Sequence, residues 1–195
     1  MQGQKSHSFK LFLWKNIFVV TASFVASFLG LNFNTNEVSA LFVPTLSASV
    51  DQVNLQVNGN SVINSSDKTT EIPFNFTVNT NNRTGYTAIL SSETENTALT
   101  NAGSAVGAKI DSISTNLTLN NLPNNTWGYK LGASTSYAPI PALSAPAQII
   151  QTAGKTNGNE SNQLSIGMKL ADNLESGNYT NKLILSFVSN PYTMR

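Results

Sequence analysis

Leu164-Ser165-Ile166-Gly167-Met168-Lys169-Leu170 alternates apolar with polar or small residues, and after the turn-forming Glu175-Ser176-Gly177-Asn178 the apolar Leu183, Leu185 and Phe187 alternate with Lys182, Ile184 and Ser186. A strand sends successive side chains to opposite faces, so this period of two places one apolar face on each segment. The pattern recurs upstream. Val53, Leu55 and Val57 alternate with Asn54 and Gln56 before an Asn58-Gly59-Asn60 turn; Ile72, Phe74, Phe76 and Val78 alternate with Pro73, Asn75 and Thr77. Tyr86, Ala88 and Leu90 follow Gly85, which relaxes the turn before them. Leu117 and Leu119 precede a turn around Pro123, and Trp127, Tyr129 and Leu131 come next. Pro73 cannot donate to a ladder and belongs at a strand start or on an edge. No segment after Ala40 has helical spacing with caps. Short strands joined by Gly, Asn and Pro turns predict an all-β fold: a single antiparallel β-sandwich, Ig-like or jelly-roll-like.

Before these strands the pattern differs. Lys5, Lys10 and Lys15 form a basic lead, and Ile17 to Leu31 is an apolar run broken only by Thr21, Ser23, Ser27 and Gly30. The run has the length of a signal-peptide core and is shorter than the ~20 residues of a membrane-spanning helix. Val38-Ser39-Ala40 presents small residues at the positions a signal peptidase reads, which predicts cleavage after Ala40 with Val38 and Ala40 as recognition residues. The alternative is a retained membrane anchor, with the basic flank kept cytoplasmic. The chain then divides into a signal peptide with its helix (1–40), a lead-in segment (41–52), a β-sandwich domain (53–190) and a short tail (191–195).

Charged residues make up 11% of the sequence and the formal net charge is +1. Once Lys5, Lys10, Lys15 and Glu37 leave with the signal, eight bases and nine acids remain. Nucleic-acid binders gather Lys and Arg on one face, so a nucleic-acid partner is not expected. Hydrophobic residues at 40% argue against a disordered chain. There is no cysteine, so stability must come from core burial, and a thiol enzyme or a lipid-bearing cysteine is excluded.

The single histidine, His7, lies in the signal, so the exported chain has neither His nor Cys for a Ser-His-acid triad or a zinc or copper site. Carboxylates are what remain. Glu93 with Glu95 and Asp172 with Glu175 are the closest pairs, both in Ser- and Asn-rich turns where solvated acids are ordinary. Asp172 and Glu175 are a weak calcium candidate. No cofactor is expected. Trp127 and Tyr129 share one strand face, either as core anchors or, together with Tyr137, as aromatic ligand contacts for stacking on a sugar. Ser134 to Pro146 holds Tyr137, Pro139, Pro141 and Pro146, which predicts a long surface loop able to carry binding.

Four stretches carry a resemblance. Phe76-Thr77-Val78-Asn79-Thr80-Asn81-Asn82-Arg83-Thr84-Gly85-Tyr86 resembles the V-x-T-N-N-x-T-G-Y-T segment of small exported proteins that recur in bacteria with reduced genomes. Leu122 to Tyr129 resembles their L-P-x-N-T-W-G-Y signature, Tyr137 to Pro141 their Pro-containing loop, and Ser176 to Val188 their closing S-G-x-Y-T-N strand. The last is also loosely similar to fimbrial, spore-coat and biofilm-matrix β-sandwiches. The resemblance implies a secreted or cell-surface structural or adhesive β-sandwich without catalytic activity. Its partners would be itself, other surface proteins or glycans, and it would meet a membrane only through an uncleaved amino-terminal segment. The alternative is a carbohydrate-binding module using its aromatic side chains and the Pro-rich loop.

Overall fold

In a computed structural model of the chain, residues 43–192 are described. The expected signal peptide with its expected helix, the expected cleavage residues Val38 and Ala40, and residues 193–195 of the tail lie outside them. The described residues are β-rich. In chain order they form β1 (Leu46–Val50), the short helix α1 (Gly59–Ile63), β2 (Thr69–Thr80), β3 (Tyr86–Ser92), β4 (Leu99–Asn101), β5 (Lys109–Ser112), β6 (Leu117–Thr118), β7 (Thr126–Leu131), β8 (Ser136–Tyr137), β9 (Ala147–Gln151), β10 (Glu160–Lys169), β11 (Tyr179–Thr180) and β12 (Leu183–Ser189). Three sheets result: a seven-stranded one in the order β1-β2-β10-β7-β5-β4-β11, a three-stranded β12-β3-β9, and a β6-β8 pair.

The strands with the clearest alternation supply the core. Phe74, Phe76 and Val78 of β2, Leu164, Ile166 and Met168 of β10, and Trp127 and Tyr129 of β7 point to one side of the large sheet. Tyr86, Ala88 and Leu90 of β3 bury in the same cluster, with Leu183, Leu185 and Phe187 of β12 packed against it. Phe76 and Phe187 meet with ring centroids 5.6 Å apart. Burying a side chain such as Phe76 fully contributes about 1.5–3 kcal/mol.

The structure departs from the sequence reading at several points. Val53 to Val57 is not a strand, because β2 already has β1 on one side and β10 on the other. Leu55 and Val57 instead rest against the core, and Asn58 caps α1 by accepting from Ser61 N at 3.3 Å. The first strand lies earlier, in the segment expected to be a lead-in, and the compact unit to which it belongs begins at Pro44. Pairing is antiparallel except for β5 and β7, which run parallel with Asp111 beside Thr126, so a wholly antiparallel scheme is corrected. The turn after β10 does not close a hairpin: the chain passes through β11, paired with β4, before β12 joins the smaller sheet. The Leu117 strand stops at Thr118, and Leu119–Asn121 forms a 3-10 turn.

Pro73 sits within β2 yet meets the edge rule locally. Asp51 N donates to Asn75 O and Asn75 N to Asp51 Oδ1, so the backbone groups of odd-numbered residues here face the β1 side. β1 pairs only with Phe76 to Thr80, and the N–H that Pro73 lacks would point past its end.

Candidate functional site

The aromatic residues singled out from the sequence do not form an exposed platform. β7 turns Trp127 and Tyr129 inward; Trp127 is 3% exposed and its Nε1 donates to Thr97 O at 2.9 Å. Tyr129 is also buried, and that burial raises its hydroxyl pKa. Sugar stacking needs an open ring face, and these two rings spend theirs on the core.

Tyr137 is buried as well, at 1% exposed, but on the opposite side of the large sheet. Gly128 of β7 pairs directly with Gly167 of β10. Two missing side chains leave a trough: the Tyr137 ring lies over Gly167, where an added Cβ would stand 2.3 Å from its Cε1, while the Ala138 carbonyl and the Ile113 side chain cover Gly128. The ring's hydroxyl donates to Glu71 Oε2 on β2. Lys130 Nζ lies 3.0 Å from the same carboxylate and 5.2 Å from the ring centroid. Burial pushes the Glu71 pKa up. The Tyr137 hydroxyl, then Ser165 and the Lys130 ammonium, together outweigh it and leave the group below its ordinary value, although the buried Ser165 hydroxyl makes no hydrogen bond of normal geometry. Burial, then the Glu71 carboxylate, raise the Tyr137 pKa, so it stays a neutral donor.

Ile113 and Leu122 join Tyr137 in a second small apolar cluster. The middle of the Pro-rich stretch, from Tyr137 to Pro141, is therefore a packed cover, while Leu143 to Pro146 is exposed, as expected of a surface loop. β8 pairs with β6, Ala138 exchanges backbone hydrogen bonds with Tyr129, and Ile140 reaches the main core. Glu71, Lys130 and the two glycines were not singled out from the sequence. The signal that could have found them was Gly167, where an otherwise apolar–polar alternation drops its side chain.

Beside this cover lies a shallow open cleft of about 240 Å³, lined by Asn116, Tyr129, Leu131, Ser134, Ser136 and Gln148 among others. Its lining mixes amide and hydroxyl groups with apolar side chains and includes Lys130. That composition can hold a small polar molecule by hydrogen bonds but offers it no ring to stack on.

The acids do not assemble. Asp172 pairs with Lys68, and Glu175 accepts from Ser104 Oγ, so the calcium candidate is drawn to two separate partners. Glu93 pairs with Lys182, while Glu95 accepts from Ser144 N and Oγ at 2.9 and 2.7 Å. Among the described residues no group of three or more His, Cys, Asp or Glu converges as a metal site.

The motif-like polar residues are occupied by the fold itself. Asn82 Nδ2 donates to Gly85 O and Asn190 O, while Asn190 Nδ2 returns bonds to Thr84 O and Thr152 O. This knot ties the β2–β3 turn to the end of β12. Gly85 is required there: its φ is +80°, and a Cβ would lie 2.4 Å from Thr152 Oγ1. Asn125 Oδ1 accepts from Ala171 N, and Asn181 Nδ2 donates to Ala98 O. Comparison with protein-family models, with curated proteins and with solved structures gives no match for this chain.

Proposed function

We propose that this chain is a secreted or cell-surface structural or adhesive protein without catalytic activity. Its body would be a two-layer β-sandwich able to associate with copies of itself. The sandwich reading is supported by the large and the three-stranded sheets, whose apolar sides share one core across the Phe76–Phe187 contact. Export is supported by the basic lead, the apolar run and Val38-Ser39-Ala40.

The observation that carries self-association is the outward face of the β12-β3-β9 sheet. Ile184 stands opposite Ser91, Ser186 opposite Ile89, and Val188 opposite Thr87, so Ile184, Ile89 and Val188 make a diagonal apolar stripe. Val188 is 52% exposed. Thr87, Ser186, Gln148 and Gln151 flank the stripe, and the outward residues of these strands carry no charge. A neutral face does not repel its own copy, and a two-fold contact needs only that the patch complement itself.

The test is sedimentation of the exported form over a range of concentrations, alone and as Val188→Lys. The parent should assemble, and the variant should stay monomeric with an unchanged melting temperature. A parent that remains monomeric throughout would remove self-association. A second reading, glycan binding, is favoured by the amide- and hydroxyl-lined cleft beside Tyr129. On that reading Asn116→Ala would lose binding to a glycan panel while still assembling.

A further inference from the structure

We infer that Asn157-Gly158 is a site of spontaneous backbone-assisted deamidation, one that the fold leaves open while closing the chain's other described Asn-Gly pair. The inference does not depend on the proposed function. The step is chemically complete: the Gly158 backbone nitrogen attacks Cγ of Asn157 and loses its proton to solvent. Ammonia leaves, and the five-membered succinimide forms. Water then opens the ring at either carbonyl, giving aspartate or isoaspartate.

Three conditions govern that attack: a free amide, a free backbone N–H, and room for the ring. Asn157 and Gly158 are both exposed in the connection between β9 and β10. Among the described residues, neither the Asn157 side chain nor the Gly158 N–H has a hydrogen-bond partner. Space around Gly158 is open, with nothing within 4 Å of where a Cβ would stand. Glycine is also the residue that hinders approach to its own nitrogen least.

Asn58-Gly59 has the same two residues and the opposite setting. Asn58 caps α1, its Oδ1 held by Ser61 N, and its backbone is fixed at ψ 97°. Ring closure needs the following nitrogen on the same side of the Cα–C bond as Cβ. At ψ 97° that nitrogen lies nearly opposite, and moving it would unwind the cap.

The consequence would fall on a defined place. The new carboxylate would arise two residues before Asn159, whose Oδ1 accepts from Asn79 Nδ2 at 3.0 Å, and close to Glu160, which holds the Tyr86 hydroxyl. A chain with near-balanced charge would gain one negative charge there, and the isoaspartate product would add a backbone carbon ahead of β10.

The experiment is incubation of the purified protein at mildly alkaline pH, folded and in denaturant, followed by peptide mapping with fragmentation that distinguishes isoaspartate. In the folded protein the Asn157 peptide should deamidate many-fold faster than the Asn58 peptide, with the two rates converging in denaturant. Gly158→Ala should slow the Asn157 reaction several-fold. Equal rates at the two sites in the folded protein, or Asn58 reacting first, would overturn the inference.

Discussion

Trp127 joins packing to a polar obligation. Its indole fills the core, and its N–H satisfies the Thr97 carbonyl on the loop before β4. Truncation would remove both, leaving a cavity and a carbonyl without its partner. Trp127→Ala should cost about 3–5 kcal/mol by the measure of large core truncations, out of a domain stability of ~5–15 kcal/mol. The variant should melt early or express poorly. The parent's fluorescence checks the same point, because Trp14, the chain's other tryptophan, lies within the proposed signal peptide. The exported form should emit as a buried, blue-shifted indole. A red-shifted parent together with an undisturbed variant melt would return Trp127 to the surface and reopen the stacking role. Tyr86 shows the same coupling of ring and polar tip. Its hydroxyl donates to Glu160 Oε1 at 2.8 Å, and burial, reinforced by that carboxylate, pushes its pKa up to about 12.

At the scale of elements, the trough between β7 and β10 explains why the Pro-rich segment folds down at all. Pairing Gly128 with Gly167 removes the side chains from adjacent strands at one level, and Tyr137 fills the gap. Gly167→Ala would force the ring off Glu71 and should destabilise by roughly 1–3 kcal/mol, the range for overpacking. In a Tyr137→Ala background the same substitution should cost almost nothing, because the clash is gone. Thermal melts of the two single variants and the double variant read that coupling directly, and strict additivity would mean the ring does not rest on Gly167. This pairing also marks where sequence reading ended. β2, β3, β7, β10 and β12 were legible because large apolar residues alternate along them. β1 was not, since Leu46-Ser-Ala-Ser-Val50 has little contrast between its faces, while Val53 to Val57 imitates a strand next to β2, whose two sides are already taken by β1 and β10. β4, β5 and β11 are too short to carry a period. The prolines correctly forbade a central strand between Ser134 and Pro146, but nothing local could reveal that Tyr137 is buried. Its ring rests on Gly167, a residue of a strand that only the fold brings beneath it. The acids were readable as solvated turn residues, yet their partners Lys68, Ser104, Lys182 and Ser144 are supplied by distant segments.

For the molecule as a whole, the proposed cleavage after Ala40 lies close ahead of β1. Thr45 is the first residue tied into the sheet: its N–H donates to Asn81 Oδ1 at 2.7 Å, and its carbonyl accepts from Thr80 Oγ1 at 2.6 Å and from Asn81 N at 3.3 Å. β1 follows at once and pairs with β2 from Leu46 to Val50. Cleavage after Ala40, as proposed, would leave Thr45 and the whole of β1 on the exported chain. A cut beyond Leu46 would strip the edge from β2 and expose Phe76 and Val78, which are now fully buried. The amino terminus of the protein recovered outside the cytoplasm should therefore be Leu41, as intact-mass and terminal-peptide spectrometry would establish. Ala40→Phe places a bulky ring where the peptidase needs a small residue, and should make the uncleaved precursor accumulate in the membrane fraction. Recovery of surface-located protein that still carries Met1 would favour the anchored alternative. Recovery of a terminus beyond Leu46 on a folded, exported chain would break the link drawn here between the cleavage site and the first strand.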